Sequence, residues 1–129
     1  MWYAYGAALI VMGVLDALWL GVIARDFYRH EIGDLMAAEI NKLPAAMFYF
    51  GYPAGLVMLA LQPAPESMAM AAWRGALVGL VAYGTYDLTN LATLRHWSPT
   101  MALADVAWGA FASALAATAA FYAFKRFAV

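Results

Sequence analysis

Long apolar runs alternate with short polar breaks along this chain, and a helix needs about 20 mostly apolar residues to cross the hydrocarbon layer of a bilayer. Four stretches reach that length: Trp2 to Ile23, Pro44 to Leu61, about Ala69 to Leu94, and Pro99 to Phe124. Pro44 and Pro99 suit the first turn of a helix, where a missing N–H costs nothing. Ser98 is placed to cap the last run, and "QPAPES" between runs two and three is a breaker-rich turn. The pattern predicts an all-α protein, a four-span antiparallel transmembrane helix bundle forming one domain over residues 1–129 with both termini on one side.

Residues 24–43 join the first two runs. Tyr28, Ile32, Leu35, Met36, Ile40 and Leu43 recur there at helical spacing against Arg25, Arg29, Asp34 and Lys42, which predicts an interfacial helix or loop. It reads either as a solvated connector or as a lid. Small residues predict where spans meet closely: Gly51 with Gly55, Gly75 with Gly79, and Ala112 with Ala116 and Ala120. Packing within one chain is the first reading of these spacings and a homodimer the second. Pro53, inside run two, predicts a kink and a freed carbonyl nearby.

Composition sharpens the class. Of 129 residues 67% are hydrophobic and 12% charged, against roughly 45–50% and 25% in soluble domains, and the mean hydropathy is +0.72. This is the profile of a membrane protein, so the lipid bilayer is its first partner. A net charge of −1 without a basic tract gives nucleic acid no footprint, and the absence of cysteine excludes disulfides and thiolate chemistry. The N-terminal run lacks a basic flank and exceeds a signal-peptide core, which predicts a retained span. Arg74, Lys125 and Arg126 fall on the side of the termini, against Arg25, Arg29, Lys42 and Arg95 opposite. That near balance leans toward cytoplasmic termini, because Lys125 and Arg126 directly follow a span.

Three aspartates fall inside the runs. Counting helical rise from the run ends, Asp16, Asp87 and Asp105 all sit roughly 10 Å below the face opposite the termini. "DALWLG" and "DVAWG" place Trp19 and Trp108 three residues after Asp16 and Asp105, on the same helix face as their acids. Tyr83, Asp87 and Asn90 form one stripe on run three, with Tyr86 beside it, and run two brings Tyr49 and Tyr52 toward the same depth. A mid-helix aspartate costs about 2.5–3.5 kcal/mol, so three independent ones would cost roughly 8–10 kcal/mol. No basic residue lies within a turn of any of them, so relief must come from neighbouring spans, water, a cation or a retained proton.

Two readings of this cluster stand. Carboxyls bonded to Tyr, Trp and Asn can simply fasten four helices together, or they can form a pocket for a proton, a cation or a polar head group. Were the pocket catalytic, Asp87, Asp16 and Asp105 would be its acid and base, and Trp19, Tyr49, Tyr52, Tyr83, Tyr86, Asn90 and Trp108 its ligand-binding lining. His30 and His96, with Arg25, Arg29 and Arg95, lie on the same face and are placed to roof it. Metal dependence stays unknown, since two isolated histidines match no ligand spacing. No cofactor is indicated either: there is no glycine-rich phosphate loop, and Ser98 and Ser113 lack a nucleophile's context.

At "LDALWLGVIARDFYRHEIG", "YGTYDLTNLATLRHWS" and "DVAWG" the chain resembles a family of small bacterial integral membrane proteins, domain of unknown function 2177. The similarity runs along nearly the whole chain and includes Asp16, Trp19, Phe27, Tyr28, Tyr86, Asp87, Asn90, Asp105 and Trp108. The resemblance implies four spans, a bacterial inner-membrane location and a leaning toward lipid metabolism. Three functions follow as expectations: a module that binds or moves a proton, a cation or an amine-bearing head group; an enzyme of lipid or isoprenoid modification; or an accessory subunit of a membrane complex.

Overall fold

A computed structural model describes residues 1–23, 25–36 and 41–127, with the backbone alone at 23 and 25. Every regular element among them is helical: α1 (Trp2–Leu18) continued by a π-helical turn (Trp19–Ile23), α2 (Arg25–Ile32) with a 3-10 turn (Gly33–Leu35), α3 (Lys42–Leu61), α4 (Met68–Thr93) and α5 (Pro99–Phe127). Ile40, part of the interfacial pattern, lies outside the described residues, as does the side chain of Arg25.

Local chemistry explains the starts. Ser98 Oγ accepts the N–H of Met101 at 3.0 Å, capping α5 one residue before Pro99. Ser67 does the same for α4, accepting the N–H of Met70 at 3.1 Å. Pro53 lies inside α3, where it removes one backbone donor. In the turn it weakens, the Phe50 carbonyl takes an outside donor, the Tyr5 hydroxyl at 2.8 Å.

Among the described residues, three helices are long and apolar enough to cross a membrane: Trp2–Val22, Lys42–Leu61 and Pro99–Phe127. The expected fourth, α4, is 26 residues long, but it falls short of that apolarity because it carries Arg74, Asp87 and a run of Tyr, Thr and Asn. Outward side chains such as Ile10, Val14, Leu59, Val81 and Leu103 are apolar and exposed, as suits helices whose surroundings are lipid.

α1 and α4 run antiparallel to α5, which touches every other helix. Its small residues Ala112, Ser113, Ala116, Ala117 and Ala120 are buried. Against them α4 presents Gly75 and Gly79, where an added Cβ would overlap Ala117 and the carbonyls of Ser113 and Gly109. Gly51 and Gly55 behave differently. Nothing lies within 4 Å of where their Cβ atoms would be, so the second GxxxG does not bring two helices of this chain together. Its glycines instead line a groove between α3 and α4.

Candidate functional site

Asp16 is six residues before Val22, Asp87 six before Thr93, and Asp105 six after Pro99, so each lies about 9 Å from its helix end. Antiparallel threading puts those ends on one side. α5 packs against both α1 and α4, so Asp105 sits on the helix between those that carry Asp16 and Asp87.

Hydrogen bonds then cross between elements. Trp108 Nε1, on α5, donates to Asp16 Oδ1 on α1 at 3.2 Å. Trp19 Nε1, one turn beyond Asp16, donates to Tyr28 Oη on α2 at 2.9 Å, and Tyr28 Oη donates to Asp105 Oδ1 at 2.6 Å. The two indoles stack with centroids 4.6 Å apart and planes 8° apart. Trp108 thus serves the acid of the other helix directly, while Trp19 reaches Asp105 only through the Tyr28 hydroxyl, although each tryptophan follows the acid of its own helix by three residues.

Tyr28 therefore joins the site from outside the spans. Burial, followed by its bond to Asp105 and that residue's charge, pushes its phenol above the ordinary tyrosine value. Its hydroxyl stays a donor to Asp105 while accepting from Trp19, and it ties α2 to the bundle.

A cavity of about 470 Å³ opens beside this network, and both Asp16 and Asp105 line it. Its walls are mostly aromatic: Trp19, Trp108, Phe48, Tyr49, Tyr83 and Tyr86. Of its lining residues, Phe48, Leu20 and Tyr86 are exposed. A second cavity, about 550 Å³, continues toward α2, shares Asp105, Tyr86 and Leu20, and adds Tyr28 and Arg29. Acids within aromatic walls, with a guanidinium at the outer end, suit a ligand whose cationic part enters first.

Asp87 is placed apart. It is 0% exposed, lines neither cavity, and both its carboxyl oxygens lack a hydrogen-bond partner. Asp105 and the indole of Trp97 are its polar neighbours, and the Trp97 N–H is likewise buried without a partner. A carboxyl held like this is costly unless protonation or a ligand relieves it.

The remaining expected residues divide. Tyr49, Tyr83 and Tyr86 join Trp19 and Trp108 around the acids. Tyr52 turns away, its hydroxyl 2.6 Å from Ser113 Oγ and its ring edge-on to Tyr83. Asn90 lines neither cavity, and its carbonyl accepts the N–H of Leu94 that closes α4. The hydroxyls of Thr85, Thr89 and Thr93 each bond a carbonyl one turn back in α4, so they are satisfied within their own helix. Of the proposed roof, Arg29 lines the outer cavity, while His30, Arg95 and His96 are exposed surface residues. Among the described residues, no three His, Cys, Asp or Glu side chains gather as metal ligands would.

Tyr28, Phe48 and Trp97 belong to the site without having been singled out for it. Tyr28 had a signal: it lies on the apolar stripe of residues 24–43, the side that must face the bundle. Phe48 and Trp97 had none beyond being aromatic.

A family model described as "Predicted membrane protein (DUF2177)" matches residues 1–122. No curated protein and no solved structure matches the chain.

Proposed function

The chain belongs to this DUF2177 family of predicted membrane proteins, and on that premise we propose that it is a four-span protein of the bacterial inner membrane, with cytoplasmic termini, whose acidic pocket binds the amine-bearing head group of a lipid. One observation carries the reading. Asp16 and Asp105 line one aromatic-walled cavity of about 470 Å³.

Carboxylates attract a cation, indole and phenol rings attract it through their faces, and a wall of Leu and Phe suits the chain behind it. A bare proton or metal ion needs none of the aromatic surface. Arg29 at the outer cavity would face the phosphate of a zwitterionic head group whose amine lies at Asp105. In this reading α4 is the fourth span, its polar residues turned to the acids, to its own backbone carbonyls or to the α3–α4 turn.

The test is titration of the purified protein in maltoside micelles with dodecylamine, dodecyl alcohol and dodecyl sulfate. Saturable binding of the amine alone, lost in both Asp16→Asn and Asp105→Asn, is expected. Equal binding of all three amphiphiles would refute the reading.

Enzymatic modification of such a lipid is the second reading, favoured by the unlike settings of the acids: Asp16 accepts from an indole, Asp105 from a phenol. Unlike settings are what an acid and base pair require. A lipid species that accumulates in cells carrying Asp105→Asn at unchanged protein level would support it, and an unaltered lipidome would count against it.

A further inference from the structure

On the side of the bundle nearer the termini, α3 and α4 diverge around a groove of about 810 Å³. Its walls are Gly51, Gly55, Leu59, Leu77 and Val81, and Arg74 is its one charged residue. The open faces of Gly51 and Gly55 create the space, since nothing lies within 4 Å of where either Cβ would be. Polar groups at the far end are already engaged: Thr85 with the Val81 carbonyl at 2.6 Å, and Tyr52 with Ser113. Tyr52, on the groove, and Tyr83, on the acidic cavity, meet edge to face at 6.0 Å, and Ala82 lines both.

Arg74 is only partly satisfied. It donates to the carbonyls of Ala60 and Pro63 and to the Met70 sulfur. Three of the five guanidinium N–H groups are used, and among the described residues its charge meets carbonyl oxygens and a thioether but no carboxylate. The side chain therefore stands at the mouth of an apolar channel with two donors and a full charge to offer.

Length supports one occupant. From Arg74 to Thr85 the helix rises about 16 Å, close to the roughly 15 Å hydrocarbon depth of a single leaflet. Trp73, the neighbour of Arg74 on α4, is exposed as an aromatic residue at head-group level would be. Lys125 and Arg126 close α5 on the same side, adding positive charge at that surface.

We propose that the α3–α4 groove holds one acyl chain of an anionic phospholipid of the same leaflet, with the lipid phosphate bonded to Arg74. The chain covers Gly51 and Gly55 and fills the groove between the two helices. This site adjoins the acidic cavity at Ala82 but contains neither Asp16 nor Asp105, and Asp105→Asn is expected to leave it unchanged.

Native mass spectrometry of protein released from bilayers of equal phosphatidylglycerol and phosphatidylcholine tests it. Wild type should retain one phosphatidylglycerol, in about fivefold preference over phosphatidylcholine. Gly55→Leu, whose side chain enters open space, should keep the same helicity and lose the bound lipid. Arg74→Gln should lose the preference between lipids. Equal retention of both lipids by wild type, or undiminished retention in Gly55→Leu, would overturn the proposal. So would efficient cross-linking of two copies through a cysteine at position 55, because the groove would then be a dimer interface.

Discussion

Trp108 donates its indole N–H to Asp16 at 3.2 Å, so the carboxyl on α1 is held by α5 rather than by the tryptophan one turn away on its own helix. Trp108→Phe preserves an aromatic ring against Trp19 and removes that donor. A hydrogen bond to a charged group is worth about 1.5–3 kcal/mol. The expected loss of stability is of that order, read as a lowered thermal midpoint in detergent, and Trp19→Phe should cost less because its N–H meets only a neutral phenol.

Tyr28→Phe strips Asp105 of its donor and Trp19 of its acceptor in one step. Its expected signature is local. Amide exchange should quicken in α2 while α4 and α5 keep their protection, since among the described residues Tyr28 is the side chain that ties α2 to α5 by hydrogen bonding.

The raised Tyr28 phenol gives an alkaline signature with a definite sign. A tyrosine whose folded value lies above its unfolded value, near 10, contributes stability that is complete below pH 10. The contribution falls as pH climbs above that point toward the folded value. Unfolding midpoints measured between pH 8 and about 11 should be flat at first and then decline. In Tyr28→Phe the alkaline decline should be smaller.

Glycines separate by surroundings. Gly79→Ala would drive a methyl group into the Gly109 carbonyl and Ser113, whereas Gly51→Ala meets nothing within 4 Å. Overpacking costs about 1–3 kcal/mol, so Gly79→Ala should lower the thermal midpoint clearly. Gly51→Ala should leave it unchanged or slightly higher, because alanine favours helix.

Asp87 burdens the bundle, being wholly buried with both oxygens unpartnered. Replacing such a group by an apolar side chain is expected to stabilise the fold by about 1–3 kcal/mol. Asp87→Leu should therefore raise the thermal midpoint in detergent. A lowered midpoint would show that the carboxyl has a stabilising partner.

The sequence made the helices legible because apolar runs and their proline and serine boundaries act locally. It made α4 harder to class, since Arg74, Asp87 and the threonines lower its apolarity even though three threonine hydroxyls are bonded within the helix. Depth was readable by counting residues, which puts Asp16, Asp87 and Asp105 equally far from their helix ends. Rotation about each helix axis was not. Rotation decides that Asp87 is sealed away from the cavity that Asp16 and Asp105 line. It also decides that Trp108 bonds the acid of α1 while Trp19 bonds Tyr28, and that one GxxxG packs while the other lies open.

The acidic cavity is probed most directly by a quencher placed inside it. In a variant whose only tryptophans are Trp19 and Trp108, a brominated dodecylamine in maltoside micelles should quench their emission saturably, and Asp105→Asn should abolish the saturation. Equal quenching by a brominated dodecyl sulfate, or saturation that survives Asp105→Asn, would contradict a cation-binding pocket between these two acids.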